Sequence, residues 1–235
     1  MKEMTIRQLN RLDDKPMFSV KDPISALTHF IGFIASIILT PLIFTKASFS
    51  GSSLAGLTAL YIYRISVSLL FAASTTYHTF LLPARPARIL KKFDHMSIFV
   101  MIAGTYTPVC LMLMKPEDGL PLLIAVWSVA IIGMAVKAFW VYCPKYVSSI
   151  MYIGMGWACL SVLPQIIHGL GSGFWWLLAG GVFYTVGGVI YALKPNLFPK
   201  EETTGFGNHE LFHLFVLAGS LCHYLLMLGT ITLLG

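Results

Sequence analysis

Long apolar runs, each broken by a short cluster of Pro, Gly or charge, recur from residue 24 to the end of the chain. A helix rises 1.5 Å per residue, so about 20 consecutive apolar residues cross a bilayer. The pattern predicts seven such helices, over 24–44, 54–80, 96–114, 120–141, 148–167, 175–193 and 211–234. The fourth and fifth are separated only by 142–147, where Pro144 and Lys145 mark a turn. Residues 1–23 carry nine charges and no apolar core, and read as a cytoplasmic tail ahead of a single membrane domain over 24–235. The expected fold is an all-α integral membrane protein, a seven-transmembrane helix bundle placed in the cell membrane.

Composition agrees with this pattern. Of the 235 residues 57% are hydrophobic and only 11% charged, with a mean hydropathy of +0.77, far from the roughly 25% charge of a soluble domain. That leaves no room for a separate soluble catalytic domain. The net charge of +6 does not point to nucleic acid, because the basic residues flank apolar runs. With the N-terminus inside, thirteen of the 16 Lys and Arg fall on the inner side. Only Lys46 and Lys115 fall outside, and Arg64 lies within the second span. Basic residues in short loops stay in the cytoplasm, so the N-terminus is expected inside and the C-terminus outside. Cys110, Cys143, Cys159 and Cys222 form no CxxC pair and read as packing residues. Trp140, Tyr142, Trp175 and Trp176 sit at span ends, where an aromatic belt is expected.

Ionisable groups in a span are costly, so each is a functional candidate. With this topology three clusters share one depth near the inner face: Ser74 and His78, Asp94 and His95, and His209 and His213. Residues four apart project from one helix face, so His209 and His213 suit a single metal ion, with His78 as a third ligand from another helix. Three nitrogens and one open position form the arrangement of a catalytic zinc site. Asp94 and Ser74 then orient or deprotonate a water on the zinc. The competing reading makes these histidines interhelical hydrogen-bond partners. Residues 209–213 read HELFH, a formal match to HExxH, but Glu210 lies about 100° around the helix from His209. Asp94 is therefore preferred to Glu210 as the carboxylate of the site.

The segments STTYHTF (74–80), DHMSIFVMIAGTYTP (94–108) and GFGNHELFHLFVLAGSLCHY (205–224) resemble the bacterial haemolysin III family. That family is a branch of the progestin and adipoQ receptor group, which includes the adiponectin receptors. The resemblance implies a seven-helix protein with zinc near the cytoplasmic face, held by His78, His209 and His213, and a zinc-bound water near Ser74 and Asp94. From the receptor members it implies hydrolysis of ceramide-like lipid amides, and from some bacterial relatives a link to membrane-lipid homeostasis. The leading expectation is thus a zinc-dependent hydrolase of a membrane lipid amide or ester. The alternative, which the haemolysin name suggests, is a membrane-permeabilising protein or channel with a structural zinc site.

Other polar residues have plainer readings. Arg64 is expected to bond backbone carbonyls or tyrosines of adjacent helices rather than meet a lipid head. His29 is close enough in depth to support the site. His95 is expected at the headgroups, His168 at the outer end of its helix, and His223 as a packing or pore-lining group. Gly104 and Pro108 are expected to bend the third helix, with Thr105 and Thr107 satisfying carbonyls freed by the proline.

Overall fold

The structure is a computed structural model that describes residues 20–198 and 205–234. Most of the predicted tail, residues 1–19, lies outside the described residues. Among the described residues the fold is all helical: α1 Pro23–Ile38, α2 Thr40–Phe49, α3 Leu54–Thr79, α4 Ala84–Pro108, α5 Pro116–Phe139, α6 Lys145–Gly156, α7 Leu163–Leu170, α8 Phe174–Leu193 and α9 Asn208–Gly229. Six stretches are long and apolar enough to cross a membrane. The fifth of these, Lys145–Leu193, is 49 residues long and contains α6, α7 and α8. It doubles back at Gly171, whose φ of 51° is a backbone conformation that L side chains rarely adopt. Ser149 Oγ donates to the Gly188 carbonyl at 3.0 Å and Trp157 Nε1 to Thr185 Oγ1 at 2.9 Å, so α6 and α8 run antiparallel side by side.

The element boundaries differ from the sequence pattern where polar residues are helical. The third predicted span begins at 96, whereas α4 begins at Ala84, because Arg, Lys, Ala and Leu all favour helix and a hydropathy reading stops at their charges. Asp94 and His95 therefore sit in the body of a helix rather than opening it. The first predicted span is divided at Leu39, just before Thr40 and Pro41 open α2, since Pro41 has no N–H to continue the ladder. Regular α geometry in α4 ends at Pro108 and gives way to a π turn over Val109–Leu113. The two threonines do not serve the carbonyl that Pro108 releases, that of Gly104. Thr105 bonds the Met101 carbonyl and Thr107 that of Ala103.

Around an apolar core, packing departs from that of a soluble domain at the outer surface and in its buried polar groups. Ile31, Ile38, Ile124, Ile132 and Trp175 are exposed, while Ser25, His29, Ser66, Ser74, Asp94 and His213 are buried. Lipid solvates apolar side chains as well as the protein interior does, so outward faces stay apolar and polar groups turn inward to find partners. Close approach depends on small residues. A Cβ on Gly104 of α4 would stand 1.8 Å from Ser66 Oγ of α3. The neighbouring pairs α1/α3, α3/α4, α4/α6, α6/α8, α8/α9 and α9/α1 close a ring, with α5 packed outside it on α4. The ring surrounds a partly open cavity of about 230 Å³, to which α5 contributes no lining residue.

Arg64 is buried at the break between α1 and α2, where its Nε donates to Thr40 Oγ1 at 2.9 Å and its Nη2 to the Ser36 carbonyl. Its guanidinium also lies 5.3 Å from the Tyr224 ring centroid. These are the backbone and tyrosine partners that the sequence suggested, and they tie α3 to the broken first helix.

Candidate metal centre

His78 lies in the last turn of α3, and His209 and His213 in the first two turns of α9. α9 begins at Asn208, three residues before the apolar run from 211, which puts both histidines on regular helix one turn apart. One nitrogen from each of the three rings lies within 4.8 Å of the others. His78 Nε2 and His209 Nε2 are 3.3 Å apart. On a tetrahedral ion with Zn–N distances of about 2.0–2.1 Å, ligand nitrogens stand about 3.3–3.4 Å from each other. His78 and His213 are almost fully buried, so the cluster is held by packing rather than by solvent.

Two of the rings are also aimed from behind. His78 Nδ1 lies 2.8 Å from Asp22 Oδ2, which fixes the proton on Nδ1 and turns the Nε2 lone pair toward His209. The backbone locks this contact, because Lys21 N donates to the Thr79 carbonyl at 3.1 Å and Asp22 N to that of His78 at 2.9 Å. Burial works against ionising the Asp22 carboxyl, but the His78 hydrogen bond and Lys21 outweigh it and hold its pKa at about 2, below the usual carboxylate value. Asp22 is therefore anionic at neutral pH. His213 Nδ1 faces Thr28 Oγ1 at 3.5 Å, and the His29 ring stacks on His213 with 3.7 Å between centroids. A carboxylate or hydroxyl behind an imidazole with its other nitrogen turned into a shared space is the usual outer support of a metal-ligating histidine.

Ser74 and Asp94 are buried beside this cluster, with the Ser74 side chain and His78 among the neighbours of the Asp94 carboxylate. Both line the cavity, as do His29, His209 and His213. All five residues singled out for the site thus come together from α3, α4 and α9. Glu210 does not join them. Its Oε1 accepts from Ser25 Oγ at 2.7 Å and its Oε2 from Gly207 N at 2.9 Å, so it caps α9 and ties that helix to α1. His95 lines the cavity rather than the outer surface, with its Nε2 4.0 Å from Asp94 Oδ2. His168 is exposed on α7 and lines no part of it. Asp22 and Thr28 were not singled out in the sequence. Asp22 stands in a charged segment where one more carboxylate carries no signal, and Thr28 reads as an ordinary helix residue.

A ring of helices around a buried three-histidine cluster and an apolar cavity defines a polytopic membrane protein with a candidate metal centre. The family model described as "Haemolysin-III related" matches residues 18–224. The chain is 36% identical to "Hemolysin-3" of Bacillus cereus over 203 residues, 86% of this chain and 88% of that protein. It is 35% identical to "Hemolysin-3 homolog" of Bacillus subtilis over 206 residues, 87% of this chain and 92% of that one. It is 28% identical to "Progestin and adipoQ receptor-like protein 1" of Caenorhabditis elegans over 156 residues, 58% of this chain and 35% of that protein. The chain therefore belongs to the haemolysin III-related family and is a multi-pass integral membrane protein.

Proposed function

We propose that this protein is a zinc-dependent hydrolase of the membrane that cleaves a lipid amide or ester, ceramide-like in its chemistry and tied to membrane-lipid homeostasis. The observation that carries the reading is the meeting of three histidine nitrogens within 4.8 Å with a buried carboxylate and hydroxyl at one end of an apolar cavity. Bound zinc supplies a Lewis acid for the carbonyl and brings the pKa of a water toward about 7. His78, His209 and His213 hold the ion, and Asp22 orients His78. Asp94 takes the proton of the attacking water and returns it to the leaving amine or alcohol, while Ser74 holds Asp94 in position. The cavity takes the acyl chain and keeps bulk water from the reacting carbonyl.

The same reading has seven crossings, with the 49-residue stretch doubling back at Gly171 as two of them. Residues 1–23 are then a cytoplasmic tail and the C-terminus lies outside, as the distribution of Lys and Arg suggests.

Metal analysis of the purified protein beside His78→Ala, His209→Ala, His213→Ala and the triple variant tests the centre. The expected result is about one zinc per chain in the wild type and none in the triple variant. Full zinc in the triple variant overturns it. The names of the two Bacillus relatives favour a second reading, a membrane-permeabilising protein in which the histidines have a structural role.

A further inference from the structure

The cavity extends well beyond the three-histidine cluster. His209 and His213 line it at the start of α9, Val216 lines it one turn further on, and His223 lines it ten residues past His213, about 15 Å along the helix axis. Most of this stretch is apolar, and the polar side chains within it are occupied. Thr105 donates to the Met101 carbonyl, Tyr106 to that of Gly156, Thr185 to that of Gly181, and Tyr184 shares a hydrogen bond with Ser220.

His223 differs from them. It is 8% exposed, and neither ring nitrogen makes a hydrogen bond of normal geometry, although the Leu177 carbonyl is near. The imidazole occupies space that Gly180 of α8 leaves open, since a Cβ there would stand 2.5 Å from Nε2. The Tyr184 ring meets it edge-on at 5.2 Å between centroids. Glycine and tyrosine thus seat a polar ring against an apolar cavity and offer it no partner. An unmade hydrogen bond at this depth in a membrane protein is expensive, because neither lipid nor apolar side chains can replace it. Neutral imidazole carries one donor and one acceptor, which matches a hydroxyl in either role and a keto oxygen in one.

We propose that His223 is a recognition group for an oxygen on the acyl chain of the lipid that enters the cavity, a hydroxyl or keto group held about 15 Å from the three-histidine cluster. This inference rests on the lipid reading of the cavity and narrows it from acyl chains in general to oxygenated ones. One ring nitrogen of His223 is then satisfied by the ligand oxygen, and a plain chain leaves it without that partner.

Binding of stearic acid and of a mid-chain hydroxylated stearic acid is compared on the purified full chain, by displacement of a fluorescent fatty acid. The wild type is expected to bind the hydroxylated chain about tenfold more tightly, the worth of one neutral hydrogen bond. His223→Phe is expected to abolish that preference while binding the plain chain within about twofold of wild type. His223→Gln keeps a donor and an acceptor and is expected to retain the preference. Equal binding of the two chains by the wild type overturns the inference and leaves the lipid reading standing. So does a preference that survives His223→Phe. If neither chain displaces the probe, the acyl-chain reading of the cavity fails and this inference fails with it. Should His223→Phe not fold, the wild-type comparison and His223→Gln still decide.

Discussion

Asp22 Oδ2 lies 2.8 Å from His78 Nδ1, so the residue immediately ahead of α1 grips the imidazole at the end of α3. The contact joins the first described turn of the chain to the candidate centre and sets which nitrogen of His78 faces the other two histidines. Removing a carboxylate from behind a ligating histidine lowers metal affinity roughly 10–100-fold. Asp22→Asn is expected to keep one zinc in metal-saturated buffer but to lose it to a chelator at a correspondingly lower concentration. Zinc retention identical to wild type across the chelator titration would remove Asp22 from the support of the site.

Asp94 and Ser74 line the cavity beside the histidines; Asp94 is assigned to the water rather than to the ion, and Ser74 to holding Asp94. Asp94→Asn is expected to retain its zinc and to lose turnover by roughly 10²–10⁴-fold, the usual worth of a positioned general base. Ser74→Ala should fall in the same direction by less, because it acts through Asp94. The assay pairs zinc content with hydrolysis of a ceramide-like amide in mixed micelles. Loss of zinc together with activity would recast Asp94 as a ligand.

Glu210 supplies the contrast. Both of its oxygens are engaged, by Ser25 Oγ and by Gly207 N, although its sequence context is that of a metalloprotease general base. Glu210→Ala is expected to cost about 1–3 kcal/mol in stability, the range for leaving a buried donor such as Ser25 Oγ or Gly207 N unpaired. Zinc content should not change, and turnover at a temperature where both proteins are folded should stay close to wild type. Thermal unfolding in detergent, read beside zinc content and activity, separates the roles. A large loss of turnover with stability and zinc intact would return Glu210 to the chemistry.

The residues of the candidate site stood out in the sequence because ionisable groups in apolar runs are rare and their spacing of four is legible. Ser74, His78, Asp94, His209 and His213 needed only a shared depth to be grouped. Asp22 could not be grouped with them, because in a charged segment a carboxylate has no contrast, and its role depends on the backbone pairing of Lys21 and Asp22 with Thr79 and His78. The stacking of His29 on His213 depends likewise on how α1 crosses α9, which no local pattern encodes. Hydropathy missed the start of α4 for the opposite reason, since its first turns are good helix formers that happen to be charged. Threonine spacing suggested a repair of the proline break in α4, whereas both hydroxyls bond their own i−4 carbonyls, a local contact available to any helical threonine.

The family name raises lysis, and the distribution of polar groups argues against a direct pore. A conducting path needs polar groups at every depth, with room for water between them. Here the cavity residues His29, Asp94, His95, His209 and His213 cluster together, while the lining further on is largely apolar and holds His223 as its one histidine among the described residues. Arg64 does not line the cavity at all, being bonded to Thr40 and Ser36. The protein reconstituted in liposomes is therefore expected to release neither ions nor a small entrapped dye above the protein-free baseline. Any lysis of cells on overexpression should then require His78, His209 and His213, because it would follow from altered lipids. The decisive measurement is dye release against protein-to-lipid ratio, for wild type and for His78→Ala with chelator. Release that is strong, rises with protein and persists in that variant would establish permeabilisation as the primary activity and displace the hydrolase.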